Sequence, residues 1–262
     1  MRRADGGDRR IDVGDLAFRV WGVDRIDDGI PAVVLIHGIG VSHRYLARAH
    51  NTLRALTHPR RVAIVSIDLP GHGGLPKPRR DADIARIADA LGEVLDRCGL
   101  GAVVLAGHSM GAQWVTELAL RRPDRAPGVV LIGPVADARH RSFFAQSRAL
   151  AVDTLRESPP ANVVVFTDYL RCGMRWYLRQ SRHMLTYPLE QRVGSLRMPT
   201  LVLRGDRDPI AGDEWCRGLA VAAPRGAVGV IPGGPHVIQD AQPEAVAAAL
   251  ILFADGVGIP CR

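Results

Sequence analysis

Lysine is nearly missing from this chain. Of 34 basic residues in 262, only Lys77 is a lysine, and arginine runs from Arg2 to Arg262 without gathering in one place. The formal net charge of +7 is therefore compositional and marks no basic face. Nucleic-acid binding would need basic residues on one face, interleaved with aromatics or built on a reading module, and none is visible, so no nucleic-acid partner is expected. Cysteine is also scarce. Cys98, Cys172, Cys216 and Cys261 form no C-x-x-C pair and are too scattered for a disulfide scaffold, which points to reduced thiols and a cytoplasmic location. The segment Met1 to Arg10 is charged and lacks the apolar core of a secretory signal. No stretch is long and apolar enough to span a bilayer, so no membrane partner is expected. His43, His50, His58, His108, His140 and His183 show no spacing such as H-E-x-x-H, so neither a metal nor another cofactor is expected.

The chain does contain an ordinary supply of core. With 47% hydrophobic and 23% charged residues it can bury one large interior. Apolar runs of strand length occur at Leu16–Val20, Ala32–Ile36, Val62–Ile67, Ala102–Ala106, Gly128–Ile132, Thr200–Leu203 and Ala227–Ile231. Helical patterns fill most of the gaps. Asp83 to Leu95 carries its large apolar residues at helical spacing, with Asp81 as the expected N-cap, and Pro243 to Phe253 is a second helical stretch. Strands alternating with helices imply an α/β fold with a mostly parallel sheet covered on both faces. From Ala138 to Arg197 the alternation stops. Only Asn162–Phe166 reads as strand or buried helix there, and the rest is helical.

Gly107-His108-Ser109-Met110-Gly111 follows directly on an apolar run and precedes a helical segment from Ala112. A strand that turns tightly into a helix must hold Ser109 in a strained backbone and lift its hydroxyl above the sheet edge. The N–H of Met110 then sits at a helix N-terminus, where unpaired amides favour a developing oxyanion. A serine hydroxyl is a weak nucleophile near neutral pH, so a histidine must take its proton and a carboxylate must orient that histidine. His236 lies in the Gly- and Pro-rich loop Pro232 to Val237 after one β-like run. Asp208 lies in Gly205-Asp206-Arg207-Asp208 after another.

The order Ser109, Asp208, His236, each past a strand, resembles the α/β-hydrolase superfamily, and the likeness covers nearly the whole chain. Val33 to Gly40 is similar to the family's strand and His-Gly turn, and Ile64 to Gly73 to its Asp-x-Pro-Gly-x-Gly turn. The resemblance implies that Ile39 lends a second oxyanion-hole N–H beside Met110. It also implies that Asp208, by its Gly-x-x-Asp spacing, is preferred to Asp206 or Asp137 as the acid. His37, Gly38 and His108, next to these groups, are expected to line the substrate site. The interval 138–197 would be a helical cap inserted after the sixth strand of a core formed by 1–137 and 198–262. The chain departs from the family where Gly74-Leu75-Pro76 replaces a serine often found after the second turn.

The implied activity is that of a serine hydrolase cleaving an ester, thioester or lactone of a small acyl substrate. Carbon–carbon bond hydrolysis, acyl transfer or cyclisation, and a binding protein without turnover are the alternatives on this scaffold. Oligomeric state is not legible. Asp68 has a plainer reading as a brace for its own turn, and His37 and His72 as loop supports rather than proton carriers. Between Tyr169 and Leu185 no acidic residue occurs. On one helix, Leu170, Met174, Tyr177, Leu178 and Leu185 would share a face beside Arg171, Arg175, Arg179 and Arg182. Those arginines are either a solvated outer surface or an attraction for an anionic substrate.

Overall fold

The computed structural model describes residues 7–23, 29–58, 61–137 and 159–261. Among them eight strands form one sheet: β1 (Asp8–Val13), β2 (Leu16–Trp21), β3 (Ala32–Ile36), β4 (Ala63–Asp68), β5 (Val103–His108), β6 (Gly128–Ile132), β7 (Thr200–Gly205) and β8 (Gly226–Ile231). Their order is β1-β2-β4-β3-β5-β6-β7-β8, antiparallel from β1 to β4 and parallel from there on. The described helices are α1 (His43–Leu56), α2 (Ile84–Arg97), α3 (Gly111–Arg121), α4 (Pro159–Cys172), α5 (Met174–Thr186), α6 (Leu189–Val193), α7 (Asp213–Ala222), α8 (Ile238–Ala241) and α9 (Pro243–Gly256).

The central strands are apolar on both faces because both faces are covered. Val34 and Ile36 of β3 pack with Ile87 and Leu91 of α2 and with Trp114 and Leu118 of α3. Their neighbours Val33 and Leu35 point the other way, to Leu46 and Leu53 of α1 and Leu250 of α9. The period of two thus divides one strand between two cores, and each fully buried aliphatic side chain contributes roughly 2 kcal/mol. Register aligns the carboxyl ends of the parallel strands. Ile36 pairs with both Ile67 and Gly107, His108 with Ile132, Ile132 with Leu203, and Gly205 with Ile231. The loops that follow these strands therefore open on one edge.

Three expectations need correction. Asp83, not Asp81, caps α2: its side chain accepts the Arg86 N–H at 2.8 Å, while Asp81 turns its carboxylate to the Ala82 N–H and its carbonyl to the Arg86 guanidinium. The stretch 169–185 is not one helix, because Gly173 at φ +72° separates α4 from α5. Asn162–Phe166 lies within α4, and Val163 and Phe166 are exposed rather than buried. In chain order α4, α5 and α6 stand between β6 and β7. Residues 138–158 of the expected insert lie outside the described residues.

Candidate active site

Ser109 follows β5 and precedes α3 with φ +57°, a left-handed conformation that costs a non-glycine residue about 1–3 kcal/mol. Packing leaves it no alternative. A Cβ on Gly107 would lie 2.2 Å from the Gly111 carbonyl oxygen, and one on Gly111 would lie 2.5 Å from the Ile36 oxygen. Strand, turn and helix thus meet backbone to backbone, and only glycine fits at either contact. The turn is closed by the Ala112 N–H on the Ser109 carbonyl at 3.1 Å. Met110 occupies the N-cap position of α3, at the positive end of the helix dipole.

His236 and Asp208 arrive from the loops after β8 and β7. The Nδ1–H of His236 donates to Asp208 Oδ2 at 2.8 Å, and both side chains are buried. Asp208 Oδ1 accepts from the Ile210 and Ala211 N–H groups at 2.7 and 2.9 Å. Burial opposes ionisation of Asp208, but His236 and these two amides outweigh it and hold the carboxyl below its ordinary range. With Nδ1 carrying the proton, Nε2 is the basic nitrogen of the neutral ring. The end of β6 joins the three residues. Ile132 accepts the Ser109 N–H at 2.8 Å, and Gly133, next in the chain, lies so close that a Cβ there would be 3.1 Å from the His236 ring and 3.3 Å from Asp208 Oδ2. Ser109 and the histidine–aspartate pair are seated on consecutive residues of one strand end.

The turn after β3 faces the serine. A Cβ on Gly38 would fall 3.0 Å from Ser109 Cβ and 3.4 Å from its Oγ, so Gly38 leaves room for the hydroxyl, and Ile39 follows it. His37 is wholly buried. Its Nδ1–H donates to the Gly38 carbonyl at 2.6 Å and its Nε2 accepts the Leu69 N–H at 3.0 Å, which ties the turns after β3 and β4 together. His108 donates from Nε2 to the His236 carbonyl at 3.0 Å and so supports the loop that carries the imidazole. Burial lowers His37 to about 4 and His72 and His108 to about 3, so all three are neutral near pH 7. Both His37 and His108 bond to backbone groups of the loops around them.

The other acids separate cleanly. Asp206 is exposed, and Asp137 is buried in the loop after β6. Asp68 does brace a loop, although not its own: its carboxylate accepts the His43 N–H and the Trp21 indole N–H. One supporting residue escaped the sequence reading. Arg204, buried at the end of β7, donates to the Ala211 carbonyl at 2.8 Å and to the Asp206 carbonyl at 3.4 Å, spanning the loop that carries Asp208. Its only signal was an arginine closing the run Leu201-Val202-Leu203. Of the arginines in 169–185, Arg171 pairs with Asp168, and Arg179 pairs with Asp81 and lies over the Trp176 ring. Among the described residues no group of three or more His, Cys, Asp or Glu is placed to hold a metal, and no helix is long and apolar enough to cross a membrane.

A mostly parallel sheet with functional loops gathered at its carboxyl edge is the architecture of the α/β-hydrolases. The alpha/beta hydrolase family model matches residues 33–249, and the chain belongs to that family. It is 26% identical over 236 residues to the (E)-2-((N-methylformamido)methylene)succinate hydrolase of Acinetobacter baylyi, covering 83% of this chain and 88% of that protein. It is 29% identical over 249 residues to the biotin biosynthesis bifunctional protein BioHC of Cellvibrio japonicus, covering 84% of this chain. The chain spans about half of that bifunctional relative, 47% of its length. Among solved structures it is similar to a thermophilic esterase from Thermogutta terrifontis, with a TM-score of 0.76 at 23% identity over 96% of this chain and 99% of that one. A bromoperoxidase from Bacillus anthracis gives a TM-score of 0.75 at 19% identity over 95% and 100%. Likenesses at these identities bear on the fold alone.

Proposed function

We propose that the protein is a serine hydrolase that cleaves a carboxylic ester, thioester or lactone of a small molecule through an acyl-enzyme. The observation that carries this reading is the buried Asp208–His236 pair sharing the end of β6 with a serine held at φ +57°. Ser109 is the nucleophile. His236, with Nδ1 bonded to Asp208, takes the serine proton on Nε2 as Oγ attacks the carbonyl carbon, and Asp208 stabilises the imidazolium. The N–H groups of Ile39 and Met110 hold the growing oxyanion, and each such donor is worth about 10² to 10³ in turnover. Water activated by the same imidazole then releases the acid. In this reading 138–197 is a cap on a core of 1–137 and 198–262. Its support is that Tyr169 packs on Gly40 after β3 and Trp176 on Gly71 after β4. The hydrolase relative in Acinetobacter baylyi agrees with hydrolysis as the reaction type.

Labelling with a fluorophosphonate, followed by peptide mapping, tests the assignment. Wild-type protein should carry the adduct on Ser109, and Ser109→Ala should fold normally, lose the label and lose turnover of a short-chain nitrophenyl ester. A label that survives Ser109→Ala would overturn the assignment. So would the absence of turnover across a panel of esters, thioesters and lactones, while mass detection of products separates hydrolysis from acyl transfer.

A further inference from the structure

We propose that Asp168 of α4 is a positioning residue that fixes the oxyanion loop, residues 38–42, through the hydroxyl of Ser42. The proposal rests on the serine-hydrolase reading and names a residue that reading does not require. Asp168 belongs to the segment between β6 and β7, yet its side chain is buried against the core. Its Oδ2 accepts the Ser42 Oγ–H at 2.5 Å, and its Oδ1 faces Arg44 at 3.0 Å and Arg171 at 3.4 Å. A buried carboxylate is costly to desolvate, and an apolar residue would anchor a helix at less cost, so its presence here points to a geometric task.

Ser42 carries the second half of the argument. It stands at the N-cap position of α1, where a serine hydroxyl ordinarily accepts an N–H of the first turn, yet it makes no such bond and is turned to Asp168. Asp68 takes the His43 N–H at the start of α1 in its place, and the Ser42 hydroxyl ties the loop to α4 instead. The residue after Asp168 grips the same loop from another side. Gly40, at φ +78°, lies under the Tyr169 and Tyr177 rings so closely that a Cβ would come within 2.6 Å of Tyr169 and 3.1 Å of Tyr177. The loop is thus held at three points: Gly38 against Ser109, Gly40 under the tyrosines and Ser42 on Asp168. Ile39, whose N–H is the proposed donor, lies between the first two. Loosening the third lets the loop shift, and an oxyanion donor displaced by about 1 Å loses much of its value.

Steady-state kinetics on a nitrophenyl ester should be measured for Ser42→Ala, Asp168→Asn and the double variant, with inhibition by an alkyl boronic acid as mimic of the tetrahedral intermediate. The expected result for Ser42→Ala is a roughly tenfold fall in kcat with KM within about twofold, and boronate affinity weakened by about the same factor as kcat. Asp168→Asn keeps an oxygen that can accept the Ser42 hydroxyl and loses only the charge, so its loss should not exceed that of Ser42→Ala. The double variant should be no worse than the poorer single one, because the contact is already gone without the hydroxyl. The proposal is overturned if kcat and boronate affinity of Ser42→Ala stay within about twofold of wild type, or if the two losses multiply. Where Asp168→Asn does not fold, Ser42→Ala decides alone. A wild-type protein that takes no fluorophosphonate on Ser109 fails the serine reading itself. A labelled, active wild type with an indifferent Ser42→Ala fails only the latch.

Discussion

α3 and the pair α4–α5 both border the candidate site, and they meet the rest of the molecule in opposite ways. From Gly111 to Ala119, α3 is buried at every position, including Gln113, Thr116 and Glu117. By contrast α4 and α5 leave Val163, Phe166, Leu170 and Met174 largely exposed, at 61 to 70% of their full accessibility. Their hold on the core combines a few buried side chains, Cys172, Trp176 and Met184, with separate polar bonds. Asp168 takes Ser42, Gln180 donates to the Ala82 carbonyl, and the Met184 carbonyl accepts from Gln113. Past the end of α5, Tyr187 and Arg192 bond to Glu117. The geometry of the serine is therefore set by backbone contacts that no side chain can adjust. The neighbouring helices bury only part of their length and add to it polar pegs that single substitutions can remove.

The largest effect should come from filling a backbone contact in the core. In Gly107→Ala the new methyl would sit 2.2 Å from the Gly111 oxygen, with backbone on both sides of the contact. The strand or helix must move, and the expected loss is roughly 4 kcal/mol or more, a large part of a typical stability of about 5–15 kcal/mol. Urea unfolding measures it. A Gly107→Ala protein with the wild-type midpoint would mean that the turn has slack, and the contrast between rigid core and pegged helices would go.

Acid should act next, and again on the core. Burial is the main cause that lowers His37 to about 4 and His50, His72 and His108 to about 3, against an unfolded value near 6.5. Below pH 6.5 the unfolded chain binds protons that the folded chain refuses, so stability is full above that pH and is lost as pH falls towards 4. Each histidine contributes on the order of 2 kcal/mol between pH 7 and pH 5, at about 1.4 kcal/mol per pH unit. Asp208 has the opposite dependence: its depressed carboxyl stabilises the fold above the ordinary carboxylate range and fails only at lower pH. Denaturant titrations at pH 7, 6 and 5 should show the unfolding free energy dropping by several kcal/mol. A flat profile down to pH 5 would mean that these rings reach water.

The sequence exposed what is local and apolar. The serine turn was legible because its strand, its glycines and its helix are contiguous, and the central strands because burial on both faces makes them continuous apolar runs. β1 was not, since of Asp8–Val13 only Ile11 is buried and an edge strand can be charged. The break at Gly173 was hidden because a lone glycine in a helical pattern is often tolerated, and only its backbone angle identifies it as a break. Asp208 and Asp206 differ in exposure, which two residues of spacing cannot convey. Arg204 and Asp168 act through contacts made in space. The bond from Ser42 to Asp168 spans 126 positions, and nothing around either residue announces the other.

The smallest effect should come from the outer face of α4, and it is the sharper test for being small. Phe166 is 63% exposed and Leu170 66%, so replacing either with serine removes little surface that folding had withdrawn from water. Substitutions at such positions ordinarily shift stability by no more than about 0.5 kcal/mol. Both residues lie on the helix that carries Asp168 and Tyr169, so each variant keeps the peg and changes only the exposed face. Phe166→Ser and Leu170→Ser should therefore melt with the wild type and keep its kcat. A loss above about 1 kcal/mol would exceed what an exposed face allows, and it would mean that apolar contact covers α4 in solution. The helix would then be bonded as α3 is, by burial, and removing the Ser42 hydroxyl should matter far less than the pegged arrangement requires.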